Sequence, residues 1–248
     1  MSIQKVDNVR MQLAYALSLS IFKDLRPLEV QTLCDLHLSW MHKDKDTLLI
    51  RAGDKAPPLL MLTKGIAFKY YMLPSGGRQI LSLYLPGDSI GLDVLLSGAP
   101  SYPVRSAGSV TFSTIGQEQA AQLANTATWF RDKALAALAQ ERAAAEMAII
   151  RLGQCDAEQR VASILVDLYQ RFAERGLASN HGFVLELTQQ HLADMLGLTA
   201  VHLNRTIGRL RARGLLTWTG QHVQILDMGA LDFLGVVRSN LAELAFAS

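Results

Sequence analysis

The sequence predicts an α+β protein in three parts: an N-terminal antiparallel β-sandwich of the jelly-roll kind, a long dimerisation helix and a C-terminal winged helix-turn-helix. Three observations carry this. Between Thr47 and Ile115, short apolar runs alternate with glycine or proline at intervals of roughly ten residues. From 117 to 153 a helical pattern carries an apolar stripe stepping by three and four. Between Thr188 and Arg213 two short amphipathic patterns flank a glycine, and two strand-like runs around a second glycine follow. The divisions expected are 1–120 for N-terminal helices and the sandwich, 121–155 for the long helix and a hinge, and 156–248 for the winged helix-turn-helix domain.

Residues 1–42 read as helical, with Leu25-Arg26-Pro27-Leu28-Glu29 as a helix start and Val30, Leu33 and Leu36 as the apolar positions behind it. Strands are expected at Leu48–Ile50, Leu59–Leu62, Ile66–Leu73 and Gln79–Leu85, with turns at Ala52-Gly53-Asp54, Thr63-Lys64-Gly65, Pro74-Ser75-Gly76-Gly77 and Pro86-Gly87-Asp88. Val110–Ile115 closes the sandwich. Residues 117–153 then read as one helix. Its stripe of Leu135, Leu138, Arg142, Ala145, Ile149 and Leu152 has the spacing of a helix–helix seam, and Ala143-Ala144-Ala145 would admit a close partner. Gly153-Gln154-Cys155-Asp156 breaks the helix and forms the expected hinge. A helix from Ala157 to about Arg175, a strand Phe183–Leu187 and a tail helix within Ala230–Ser248 complete the third part.

Thr188 begins the first helix of the reader, with Leu192, Ala193 and Leu196 facing inward. Gly197 supplies a left-handed turn, and Thr199 caps a second helix that buries Leu203, Ile207 and Leu210. The opposite face carries His202, Asn204, Arg205, Arg209, Arg211 and Arg213, and no acid occurs from Thr199 to Arg213. One apolar seam with a basic polar face suits insertion into a DNA major groove. The candidate DNA-facing set is Thr188, Gln189, Gln190, Thr199, Ala200, Val201, His202, Asn204, Arg205, Arg209 and Arg211. Thr217–Ile225 then forms a β-hairpin wing.

Half of the 248 residues are hydrophobic and 19% are charged, which supports a sizeable core. A net charge of +2 is too small to signal a polyanion binder, but no lysine follows Lys133, so every later base is arginine or histidine. Arginine pairs bidentately with phosphate and guanine edges. Cys34 and Cys155 are the only cysteines, too few for a disulfide scaffold or a four-cysteine cluster. No signal-peptide core and no run of about eighteen apolar residues is present, so a cytoplasmic location without a membrane partner is expected. Jelly-roll enzymes need histidine-rich strands. No histidine lies between His42 and His181, and no phosphate loop, nucleophile elbow or HExxH occurs, so no catalytic residues and no metal site are expected. The competing class is a ligand-binding or protein-interaction module whose reader does not function.

The order of parts resembles the Crp–Fnr family of bacterial transcription regulators across nearly the full chain. The matching stretches are Arg51-Ala52-Gly53-Asp54, Leu85-Pro86-Gly87-Asp88-Ser89-Ile90-Gly91, Ala157-Glu158-Gln159-Arg160-Val161-Ala162 and Thr188–Leu216. The resemblance implies a cyclic-nucleotide-binding-like sandwich, a homodimer, a near-palindromic DNA site, an activity set by a signal in the sandwich, and RNA polymerase as a partner. It implies phosphate contacts for Thr188 and Thr199 and a guanine contact for Arg205. Val201 stands where many members carry a glutamate; it could pack on a thymine methyl, and Asn204 could read an adenine.

Cyclic-AMP-binding members carry glycine–glutamate and then arginine with a small hydroxyl residue. Here the candidate effector pocket comprises Gly91, Leu92, Asp93, Ser101, Arg105 and Ser106, with Leu92 at the place of the acid. That argues against cyclic AMP, with a cyclic-nucleotide-responsive regulator kept as the alternative and an unknown small-molecule effector left open. Oxygen-sensing members hold an iron–sulfur cluster on clustered N-terminal cysteines, which this chain lacks. Haem has no supporting motif, though His37, His42 or a cysteine are the residues that could ligate it.

Overall fold

The computed structural model describes residues 3–36 and 39–235. The chain forms two compact units, Met1–Arg142 and Ala143–Ser248. The change between them falls inside a helix rather than near residues 120 and 155. The first turns of that helix pack in the first core, and its last turn packs in the second.

The first unit begins with helices α1 (Ile3–Ser18) and α2 (Pro27–Leu36). Proline opens α2, and Glu29 reaches back to accept from the Arg26 backbone N–H at 2.8 Å and from Arg26 Nε at 2.8 Å. Eight strands follow: β1 (Ser39–Lys43), β2 (Leu48–Ile50), β3 (Leu59–Lys64), β4 (Ala67–Met72), β5 (Arg78–Tyr84), β6 (Ser89–Ile90), β7 (Val104–Ser106) and β8 (Val110–Ile115). They make two antiparallel four-stranded sheets, ordered β1-β8-β3-β6 and β2-β7-β4-β5. Strand β1 corrects the expectation of helix up to residue 42. Ser39–Lys43 has no helical apolar period, and its pairing with β8, from Ser39 opposite Thr114 to Lys43 opposite Val110, is a non-local contact.

Strand β3 explains how the layers stack. Leu60 and Leu62 enter the core between the sheets with Ile50, Ala67, Tyr84, Val104 and Phe112. Leu59 and Met61 join a second core with Leu13, Leu17, Phe22, Leu33 and Phe130. Covering both faces of one strand is why its sequence is a continuous apolar run rather than an alternation.

Between β6 and β7, which the sequence left as loop, lies the short helix α3 (Val94–Ser97). Residues 117–153, expected as one helix, form α4 (Gln117–Thr126) and α5 (Thr128–Gln154). Ala127 between them is extended, at φ −115° and ψ 99°. The break lets Phe130 enter the core and stack on Phe22, with ring centroids 6.3 Å apart.

The second unit takes the remainder of α5, then α6 (Ala157–Glu174), β9 (Ala178–Ser179), β10 (Gly182–Val184), α7 (Gln189–Leu196), α8 (Ala200–Ala212), β11 (Leu216–Thr219), β12 (His222–Ile225) and α9 (Met228–Gly235). Asp156 caps α6, accepting from Gln159 N at 3.0 Å, while Gln159 Oε1 accepts from Asp156 N at 2.9 Å. The strand expected at Phe183–Leu187 instead ends at Val184. Its partner β9 lies across a tight turn in which Asn180 and His181 take positive φ. Leu185 and Leu187 are buried without being strand. The sheet order is β11-β12-β10-β9. The tail helix expected within Ala230–Ser248 is described only to Gly235, the rest lying outside the described residues, as does His37.

Candidate nucleic-acid interface

The reader is built on two capped helices. Thr188 Oγ1 accepts from His191 N at 3.1 Å, and the Thr188 N–H donates to His191 Nδ1 at 3.3 Å. The threonine hydroxyl proton is left to donate to an acceptor outside, such as a phosphate oxygen. Helix α7 ends at Gly197, whose φ of +62° needs glycine. Thr199 Oγ1 accepts from His202 N at 3.1 Å and starts α8. Ala193 is fully buried and lets the helices cross closely. Leu203, Thr206, Ile207 and Leu210 face inward, while Val201, His202, Asn204 and Arg205 face solvent. Val201 is 69% exposed, far more than a packing residue would be. Gln189 is exposed and Ala200 half-buried. The Gln190 side-chain amide donates to Asp194 at 2.6 Å.

The arginines of α8 divide into two pairs. Arg205 and Arg211 are exposed and meet no carboxylate of the described residues. Arg209, one of the candidate DNA-facing residues, donates from Nε to Glu158 at 2.5 Å and from Nη2 to the Thr206 hydroxyl at 3.3 Å. Arg213 Nη1 donates to the other Glu158 oxygen at 2.9 Å. The physical reason is tertiary. Helix α6 brings Glu158 beside the flank of α8 from more than fifty positions upstream, beyond what helix periodicity records.

Sequence reasoning also assigned no role to Arg160, although it lies in the quoted Ala157–Ala162 stretch. Its guanidinium donates to three carbonyls: Leu152 at 2.8 Å, Cys155 at 2.9 Å and Leu196 at 3.1 Å. It ties the end of α5 to the end of α7. Beside it, Arg151 is buried and donates from Nε to Ser163 Oγ at 3.0 Å, and its burial lowers the guanidinium pKa. The stretch expected as a hinge is therefore a braced corner. Gly153 and Gln154 are still helical, and Cys155 is buried.

In the first unit, the candidate effector residues have separate engagements. Leu92 is buried in the core with Leu17 and Phe22. Arg105 Nη1 donates to the Asp46 carbonyl at 2.7 Å and lies 3.3 Å from its carboxylate. Ser106 Oγ donates to the Asp44 carbonyl and accepts from Thr47 N, both at 2.8 Å. Both side chains brace the Asp44–Thr47 turn. Ser101 is exposed, and Gly91 takes a left-handed φ of 97°. Asp93 lies 3.8 Å from Lys69 Nζ. Lys69 in turn pairs with Glu141 of α5 at 2.6 Å, and the buried Tyr84 hydroxyl donates to the same Glu141 oxygen at 3.1 Å. Burial and the neighbouring carboxylates of Glu141 and Asp93 push the Tyr84 pKa well up, so it remains a donor.

Residues 159–234 match the family model of the Crp-like helix-turn-helix domain. The anaerobic regulatory protein of Aggregatibacter actinomycetemcomitans is 26% identical over 200 residues, 81% of this chain and 77% of that protein. The fumarate and nitrate reduction regulatory protein of Escherichia coli is 27% identical over 198 residues, 80% of this chain and 79% of that one. Among solved structures, FixK2 from Bradyrhizobium japonicum superposes with a TM-score of 0.74 at 24% identity, covering 81% of this chain and 98% of that one. A CRP-family transcriptional regulator from Thermus thermophilus does so at 0.64 and 18%, covering 80% and 99%. The chain carries a Crp-like helix-turn-helix domain and is similar to regulators of the Crp–Fnr type over about four-fifths of its length.

Two effector groups of that family can be tested against this chain's residues. A four-thiolate iron–sulfur cluster does not fit. The chain has two cysteines, both buried, one in each unit, and no group of three or more His, Cys, Asp or Glu among the described residues is placed to hold a metal ion. In the candidate cyclic-nucleotide pocket, Arg105 and Ser106 bond the Asp44–Thr47 turn and Leu92 is core.

Gly208 sits mid-way along α8 on its exposed face, with nothing within 4 Å of an added Cβ. A solvent-facing helical glycine costs about 1 kcal/mol relative to alanine. Gly208→Ala is therefore expected to stabilise the second unit by about that amount, read by thermal or urea unfolding.

Proposed function

We propose that the regulator is a cytoplasmic homodimer, not an enzyme, that binds a near-palindromic duplex and acts with RNA polymerase under a signal sensed in the sandwich. The observation that carries this is the exposed, acid-free face of α8, where Asn204, Arg205 and Arg211 stand clear of the carboxylates of the described residues behind two threonine-capped helix starts. Arg205 takes a guanine edge, Val201 a thymine methyl, and Thr188 and Thr199 the flanking phosphates. Two readers related by a two-fold axis require half-sites about one helical turn apart. Selection of bound sequences from a random duplex pool is expected to return an inverted repeat, and a pool with no enrichment would refute the reading.

Helix α5 supplies the dimer seam. Ile149 is 70% exposed and Leu135 is 49% exposed, with Arg142 and Ala145 also at the surface. Leu138 is partly used by the core of the first unit, and Leu152 lies against Gly197. The seam thus rests mainly on Leu135, Ala145 and Ile149. Burying a side chain the size of Ile149 is worth roughly 1.5–3 kcal/mol per copy. Ile149→Glu is expected to shift the protein to monomer in sedimentation analysis and to abolish binding to the paired half-sites.

A further inference from the structure

The four arginines on and just after α8 are not equivalent, and the difference lies in one side chain. Glu158 stands in the first turn of α6, where a carboxylate is favoured by the helix dipole. Its two oxygens are shared out, Oε1 to Arg209 Nε at 2.5 Å and Oε2 to Arg213 Nη1 at 2.9 Å. Glu158 is only 24% exposed, whereas the arginines are 44% and 51% exposed. The guanidinium groups thus lie at the surface with their inner edges already occupied. A carboxylate bridging two guanidinium groups takes the place that a backbone phosphate would otherwise fill, because both present oxygen acceptors in a matching fork.

We propose that Glu158 is a specificity-determining residue, an internal stand-in for phosphate that withholds Arg209 and Arg213 from the DNA backbone. The proposal rests on the DNA-binding reading above. Phosphate contacts raise affinity for every sequence alike, while base contacts raise it for one. Holding two cations per subunit out of the first class leaves Arg205 and Asn204 to dominate the choice of site. The same pairing also fixes α8 to α6, so the reading face is presented at a set angle.

The test uses the full-length protein, the selected duplex, and an unrelated duplex of equal length, titrated across salt concentrations. E158Q keeps the shape and removes the charge. It is expected to bind the unrelated duplex at least about ten times more tightly at low salt. Its slope of log affinity against log salt should steepen by about 2 to 4, since each added phosphate contact contributes about 0.9. The ratio of affinities for the two duplexes falls accordingly. Adding R209A and R213A to E158Q should restore the wild-type slope. In the wild-type background R209A/R213A should leave the slope unchanged, which keeps the test decisive even if E158Q unfolds. An unchanged slope in folded E158Q, or a flattened slope in R209A/R213A alone, would overturn the proposal. Loss of all DNA binding by the wild type would instead overturn the DNA-binding reading itself.

Discussion

Arg205→Ala is expected to erase most of the preference for the selected site while leaving weak, salt-sensitive binding to any duplex. Arg205 is exposed, meets no carboxylate of the described residues, and sits one turn into a helix whose start is fixed by Thr199. No described residue pairs with it, so the folded state should be unchanged. A bidentate arginine–guanine pair is worth roughly 1–3 kcal/mol of discrimination, and a dimer uses two, so the affinity ratio should fall by about 30- to 10⁴-fold. Competition titrations with selected and scrambled duplexes measure it directly. A variant that kept the full ratio would show that α8 does not read bases through this side chain.

The largest stability effect is expected at Arg160. Its guanidinium serves the carbonyls of Leu152 and Leu196, which lie in the last turns of α5 and α7, together with Cys155 at the corner. Terminal carbonyls of helices have no partner within their own helix, so a fixed donor is what satisfies them. Hydrogen bonds from a charged donor contribute roughly 1.5–3 kcal/mol each, but water can reach part of this site and recover some of that. Arg160→Ala is expected to cost about 2–4 kcal/mol, seen as a lower urea midpoint. Arg160→Lys should recover less than half, because one ammonium cannot span three carbonyls in a fork. DNA affinity should fall with it, since the same contacts hold the end of α7 that sets the turn into α8. A variant as stable as wild type would show that the corner is held by other means, such as Arg151 and Ser163.

Arg205 was legible in the sequence and Arg160 was not, because its carbonyl partners at Leu152, Cys155 and Leu196 come together only when three helices pack. Thr188, Gly197, Thr199 and the Leu203–Ile207–Leu210 seam are local: a cap, a left-handed turn and a helical period are each set by residues within a few positions of one another. Strands β2, β3, β4, β5 and β8 were legible because glycine and proline punctuate them. Strand β1 was not, since its pairing with β8 spans most of the first unit. The break at Ala127 was hidden for a related reason. Nothing in the local sequence opposes helix there, and burial of Phe130 against Phe22 is what requires it.

The sequence by itself determined the reader, because its signals depend on neighbours along the chain: two caps, one turn, one apolar seam and a run without acids. Only the tertiary structure decided which cations of that run are available and which effector residues are already engaged. Glu158 meets Arg209 and Arg213 across more than fifty positions, and the Asp44–Thr47 turn takes Arg105 and Ser106 across about sixty. Whether a charged side chain faces solvent or a partner depends on which distant elements pack beside it, and no periodicity along the chain encodes that.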